Sequence, residues 1–254
     1  MNIKLKTDIK MRKLLFILLF FPAYLWGQSE FSKIQIGVNF SPDYNYRTLK
    51  STGNGFDDVI DFQNGHEVGK FGYTTGISAI YNFSKLIGIE IDVQFSEKGY
   101  QTKTMESIVI DPNDPAVPDK WNYRYKYEYI DVPLKANFTF GKKKLRYIAT
   151  AGFAANFLID VKSTFVEKYG NETKKQTEVI TDAGHNKYNI SPIIGAGIDY
   201  KINNKISVRA VPEFRYGLIK LYNNQYTSDV GERLSFSEHL WNIGLNVGIY
   251  YGFK

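Results

Sequence analysis

The stretch WNIGLNVGIYYGF, residues 241–253, decides the fold because its side chains alternate strictly in character. The odd-numbered positions from Trp241 to Phe253 are all apolar, whereas the even-numbered positions hold asparagine, glycine and Tyr250. Successive side chains of a β-strand point to opposite faces of the sheet. This stretch therefore predicts a strand with one apolar face that ends in aromatic rings, and one face that is small or polar.

The same alternation recurs upstream, and no later segment has the apolar length of a transmembrane helix. Seven further strands are predicted at residues 34–41, 71–83, 87–96, 130–140, 145–159, 190–200 and 206–218. Three proline residues lie inside these strands, namely Pro133, Pro192 and Pro212. Because proline cannot donate to the ladder, each of them should mark a bulge or a missing bond.

The connections between the strands alternate in length. Short turns are predicted near residues 84–85, 141–143 and 203–204, and long loops at residues 42–69, 99–122, 166–187 and 223–238. Short periplasmic turns and long external loops are typical of bacterial outer-membrane barrels. We therefore predict an all-β fold, an eight-stranded antiparallel transmembrane β-barrel that runs as an up-and-down meander, with both ends of the barrel segment on the periplasmic side.

The main alternative is a soluble eight-stranded barrel of the lipocalin type, in which the apolar face would line a ligand cavity. The polar face argues against it, because charges of both signs would fill the narrow bore and pair with one another. This lumen charge network is predicted to comprise Glu90, Asp92, Asp131, Lys135, Arg146, Asp160, Asp199, Arg209, Glu213 and Arg215. The aromatic-rich face would also be too bulky for so narrow an interior.

Residues 1–27 are predicted to be a cleaved signal peptide, and residues 28–254 the outer-membrane β-barrel domain. A basic stretch ends at Arg12-Lys13, and an apolar run too short to span a bilayer follows it. Five basic residues against one aspartate in this segment carry +4 of the formal net charge of +6. The remainder is nearly neutral, so nucleic acid is not expected as a partner.

Residues 129–135, YIDVPLK, resemble the "Tyr-hydrophobic-acid-hydrophobic-Pro-Leu" element of PorT-like outer-membrane β-barrel proteins of Bacteroidetes. The Gly27-Gln28 junction and the glycine-rich stretch 192–197 are similar to that family too. The resemblance implies a location in the cell outer membrane of a Gram-negative bacterium. Some members of the family are linked to protein secretion and gliding, and the family supplies no catalytic residues to transfer.

Candidate chemistry is sparse. His66, His185 and His239 fall in or beside long loops, and the carboxylates Asp111, Asp114 and Asp119 lack the spacing of a known Ca²⁺ loop, so neither set predicts a metal site. The tyrosines at positions 123, 125, 127 and 129 alternate with polar residues. They are interpreted as a strand that extends above the membrane and carries one face of an aromatic girdle, or alternatively as an exposed platform for a partner or glycan.

The sequence predicts no enzyme, cofactor or metal, since no catalytic set stands at a recognisable spacing. The favoured function is a structural or interaction protein, a docking or anchor barrel that contacts outer-membrane lipid and binds a protein partner through external loops or periplasmic turns. The alternative is a transport component, either a narrow pore or an accessory barrel of a protein-secretion or gliding machine. Fold alone does not decide between these classes.

Overall fold

The computed structural model describes residues 31–51, 57–107, 117–141, 143–180, 184–222, 226–227, 233–234 and 236–253. The predicted signal peptide and the loop that holds Asp111 and Asp114 lie outside these ranges. Thirteen elements follow one another along the described chain. They are β1 (Ile34–Ser51), α1 (Asp57–His66), β2 (Glu67–Asn82), β3 (Ile87–Thr102), β4 (Met105–Glu106), β5 (Lys120–Phe140), β6 (Leu145–Tyr169), β7 (Glu172–Val179), β8 (Tyr188–Lys201), β9 (Ile206–Tyr216), β10 (Tyr226–Thr227), β11 (Arg233–Leu234) and β12 (Phe236–Phe253).

Eight of the strands close into a ring. The hydrogen-bonded order is β1, β2, β3, β5, β6, β8, β9 and β12, and β12 returns to β1 with the register Ile34↔Phe253 to Ser51↔Phe236. Every pairing in the ring is antiparallel. The predicted eight-stranded up-and-down barrel is therefore confirmed. Among the described residues no helix is both long and apolar enough to cross a bilayer.

The two faces of the barrel wall differ in the way that a lipid environment requires. Val38, Ile77 and Phe153 point outward with 59%, 61% and 60% of their surface exposed, whereas the inward carboxylates Asp131 and Asp199 are fully buried. An apolar outer band around a polar interior is the arrangement of outer-membrane barrels. The soluble lipocalin-type arrangement, with apolar side chains inside, is excluded by these faces.

The ring has two distinct ends. The turn end carries Phe31, Phe253 and the tight connections 83–86, 141–144 and 202–205, and the loop end lies opposite. Side chains shape two of the turns, because Ser84 Oγ accepts bonds from the amides of Leu86 and Ile87, and Asn203 Oδ1 from those of Lys205 and Ile206. Such local acceptance by serine and asparagine is a common way to fix a hairpin.

The predicted long loops are wrong in extent, because strands occupy much of the residues assigned to them. β1 continues to Ser51, β6 continues to Tyr169, and β7 pairs with the upper part of β6 to form a hairpin above the ring. Residues 47–51 and the β7 residues 172–179 carry polar or charged side chains on both faces. Above the bilayer a strand has no lipid to contact, so the ladder persists where the apolar alternation stops.

The strand prolines interrupt the ladder as predicted. The β3–β5 register passes from Ile91↔Leu134 to Gln94↔Asp131 and omits Pro133. The β8–β9 register omits Pro212 and begins only at Ile193, directly after Pro192. The proline residues are tolerated in a closed barrel because each ladder gives up only a short stretch, two register pairs at Pro133 and two at Pro212.

The alternation of connection lengths predicts that the loop end faces the outside of the cell. The chain contains no cysteine, so a single introduced cysteine can be labelled uniquely. We expect a membrane-impermeant maleimide to label Glu172→Cys on intact cells, and Asn204→Cys only after the outer membrane has been permeabilised. If position 204 alone were labelled on intact cells, the barrel would have the opposite orientation in the membrane.

Candidate functional site

A ring of buried ion pairs crosses the lumen at the level of Lys135. The Lys135 ammonium lies 2.8 Å from Glu90 Oε1, 2.9 Å from Asp92 Oδ2 and 3.5 Å from Glu213 Oε1. These four side chains come from three strands, β3, β5 and β9, and all of them are at most 5% exposed. One cation therefore holds three carboxylates together across the bore.

Arginine side chains extend this network in both directions. Towards the turn end, Arg209 lies 3.3 Å from Glu90 and 3.1 Å from Asp199, and Arg146 lies 2.8 Å from the same Asp199. Towards the loop end, Arg215 lies 2.7 Å from Glu213 and 3.8 Å from Asp131. Nine of the ten predicted network residues thus form one connected set.

The prediction that Asp160 belongs to the lumen network is wrong. The β5–β6 register passes from Tyr129↔Leu158 to Glu128↔Asp160, so Ile159 is an extra residue and the face of β6 reverses beyond it. Asp160 consequently points outward, where its carboxylate lies 3.0 Å from Lys162. Simple alternation predicted the wrong face because the sequence does not show the bulge.

Asp160 belongs to an outward row of charges above the apolar band. The row runs Lys70, Glu97, Lys126, Glu128, Lys162 and Asp160, with neighbouring charged atoms 2.5–3.2 Å apart. Burial opposes ionisation of Glu97, but hydrogen bonds from Lys70 and Lys126 outweigh it and hold the pKa of Glu97 below its usual range. Charged side chains on the outer face are costly near the bilayer midplane and tolerable near its surface. The row therefore marks the outer limit of the lipid-facing surface.

The sequence analysis missed several charged lumen residues, among them Lys98 and Asp43. Lys98 lies 2.9 Å from Asp131, and Asp43 accepts hydrogen bonds from Ser41 Oγ and Thr74 Oγ1 at 2.6 Å and 2.5 Å. Both side chains are buried. The sequence analysis ended the first strand at residue 41 and the third at residue 96, so it placed these residues outside the barrel wall.

An aromatic plug closes the lumen above the ion pairs. The plug consists of Tyr100, Tyr127, Tyr129, Val161, Leu221 and Leu240. Tyr127 and Tyr129 are 0% and 2% exposed, so the predictions that they form an outer girdle or an exposed platform are wrong. They share a strand face with Asp131, and the bore at this height is filled by rings instead of ions. Burial raises the pKa of Tyr127 well above its usual range.

Arg47 caps the plug on its loop side. The Arg47 guanidinium is bound to Glu67, lies 2.7 Å from Glu238 Oε1, and stacks 4.1 Å above the Tyr100 ring. Burial raises the pKa of Glu238, and the charge of Arg47 opposes that rise. Side chains therefore occupy the described lumen at successive levels, with Arg47 and its acids above the plug and the Lys135 ion pairs below it.

The histidines take structural positions. His185 packs against Tyr127 and Tyr222, and His239 is bound to Gly217 O and Ser237 Oγ through its two ring nitrogens. His66 ends α1 and bonds Phe62 O. Within the described ranges no group of three or more histidine, aspartate or glutamate side chains is arranged to hold a metal ion.

A family model described as "Outer membrane protein beta-barrel domain" matches residues 26–223. The chain belongs to this family. Its location is the outer membrane, where the apolar outer band contacts lipid. No curated protein sequence matches the chain significantly.

Solved structures resemble this family member in fold at low sequence identity. Outer membrane protein OprG from Pseudomonas aeruginosa is 11% identical, with 89% of this chain and 98% of that chain covered and a TM-score of 0.48. Neisserial surface protein A is 11% identical over 89% and 100%, with a TM-score of 0.41. Ail, the attachment invasion locus protein of Yersinia pestis, is 12% identical over 86% and 99%, with a TM-score of 0.32. Likenesses of this size carry no functional argument.

Proposed function

We propose that this outer-membrane barrel is a docking or anchor protein, and that it binds a protein partner at its loop end. The observation that carries the proposal is the doubly closed bore. Lys135 and its three carboxylates fill one level, and the plug around Tyr127 fills the next. A barrel whose lumen is filled in this way is suited to binding a partner at its surface and not to conducting solutes.

The loop end offers such a surface. β5, β6 and β7 continue above the ring as a projecting sheet, and every residue of β7 is exposed. Trp121, Tyr123 and Phe165 form an aromatic group on this sheet, with ring centroids 4.8–6.0 Å apart. Aromatic side chains contribute disproportionately to protein interfaces. The projecting sheet is therefore the proposed docking surface.

The proposal includes no enzymatic activity, cofactor or metal. An accessory role in a secretion or gliding machine, which the resemblance of residues 129–135 to PorT-like proteins of Bacteroidetes implies, would use the same docking surface. A narrow pore finds no support in the filled lumen. Residues 1–27 remain the proposed signal peptide, ahead of a barrel domain at residues 28–254.

Photo-crosslinking in intact cells tests the docking surface. With a photoreactive phenylalanine analogue at Gln176 on β7, we expect one discrete protein adduct that weakens when Trp121→Ala is introduced, because the aromatic group supplies part of the contact. Phe62→Ala is the matched control, since Phe62 is an exposed ring on α1, outside the projecting sheet. The lipid-facing position 249 gives the background. An adduct pattern at 176 equal to that at 249, or equal losses from both alanine variants, would contradict the proposal.

A further inference from the structure

The turn end of the lumen opens into a polar vestibule. It has an empty volume of about 780 Å³, part of which is open to solvent, and it lies between the ends of β2, β8 and β9. Five cationic side chains line it: Lys85, Arg146, Lys201, Lys205 and Arg209. The described residues that line it include no carboxylate. The vestibule is thus a concave surface of one charge sign.

The cations are only partly balanced by the acids behind them. Asp199 is bound by Arg146 and Arg209, and Glu90 is bound by Arg209. Five positive charges against these two carboxylates leave an excess of three. Lys85, Lys201 and Lys205 have no salt bridge within the described part of the chain. A confined excess of one sign attracts counter-ions and concentrates them.

Hydrogen-bond donors at the vestibule also lack acceptors. Arg146 Nε and Ser207 Oγ are buried, and neither has a hydrogen-bond partner among the described residues. Both residues line the vestibule, and Ser207 is only 4% exposed. Buried donors without a partner are unfavourable, so such groups commonly mark a place that water or a ligand completes.

We propose that this vestibule binds a phosphate group. Guanidinium and ammonium donors that converge on one cavity fit the several acceptor oxygens of a phosphate group better than they fit a single carboxylate, and a phosphate monoester adds a second negative charge. The turn end of such a barrel faces the periplasm. The phosphate can therefore come from a soluble periplasmic ester or from a phospholipid headgroup of the inner leaflet. The inference goes beyond the docking role, because it concerns the opposite end of the barrel.

Titration calorimetry on the purified full-length protein in neutral detergent tests the site. The probes are inorganic phosphate and dihexanoyl phosphatidylglycerol, with acetate and chloride at matched ionic strength as the other anions. We expect phosphate or the short-chain lipid to bind, and Lys85→Gln/Lys201→Gln to weaken that binding by about tenfold or more through loss of charge-assisted contacts. Arg146 and Arg209 are left intact so that Asp199 keeps its partners.

The matched control is Lys143→Gln/Lys144→Gln, which removes the same charge from an exposed turn at the same end but outside the vestibule. It should change the affinity by less than about twofold, since neither Lys143 nor Lys144 lines the vestibule and their screened charges act weakly at a distance. If inorganic phosphate binds, the phosphate group alone is sufficient and a soluble phosphate ester is the expected ligand. If only the lipid binds, the expected ligand is a phospholipid headgroup. The proposal is overturned if neither probe binds, if acetate binds as tightly, or if both double variants lose affinity equally.

Discussion

Replacement of Lys135 by methionine should lower the free energy of unfolding by about 3–5 kcal/mol, the usual cost of removing one partner from a buried ion pair. The side chain length is nearly conserved, so packing changes little. The variant leaves Glu90, Asp92 and Glu213 around a neutral group in the middle of the bore. Denaturant unfolding of the refolded barrel in detergent or thin-bilayer vesicles measures the change.

The matched control for this prediction is Lys120→Met. Lys120 also forms an ion pair, 2.9 Å from Glu106, but the two side chains are 49% and 78% exposed. Exposed pairs contribute little because water screens them, so this variant should unfold close to the wild type. Equal losses from Lys135→Met and Lys120→Met would mean that the lumen charges are solvated and that the network does not fill the bore.

Arginine in place of Val247 should cost about 2–4 kcal/mol, because this position lies at the middle of the apolar face of β12, where a charge meets the bilayer midplane. Val247 points outward beside Leu245 and Ile249. The same unfolding measurement applies, carried out in vesicles so that the hydrocarbon core is present.

Depth provides the control on the same strand face. Phe253→Arg places the same charge at the turn end of β12, near the membrane surface, where the cost should fall to about 0–1 kcal/mol. A similar cost at both positions would show that burial depth does not govern the effect, and a negligible cost at position 247 would refute the assignment of this face to lipid.

The strands of the barrel wall could be predicted from the sequence because contact with lipid requires an apolar side chain at every second position of a strand. Residues 241–253 must present apolar side chains at every second position, and that constraint is visible without a structure. Nine of the lumen charges followed from the same period, because they occupy the complementary positions. Beyond the lipid-facing stretches the apolar alternation weakens, and the upper ends of β1, β3 and β6 were therefore interpreted as loops, whereas the alternating tyrosines of β5 already indicated a strand above the membrane.

The features that could not be predicted depend on local backbone geometry or on contacts between distant strands. The extra residue Ile159 reverses the face of β6 and moves Asp160 outside. Tyr127 fills the bore because Leu221 and Leu240, from segments far along the chain, meet it there. Neither the bulge nor this meeting leaves a periodic signal in the sequence.

The closed bore is tested most directly by planar-bilayer recording of the purified, refolded protein. Eight strands enclose an interior that side chains can fill, and here ion pairs and the aromatic plug fill it at two levels. We predict no sustained conductance above the membrane baseline at moderate voltage. The control is a 16-stranded porin reconstituted in the same way, which should give stable open channels. Sustained nanosiemens-scale conductance from this barrel would contradict the sealed lumen and favour a transport function.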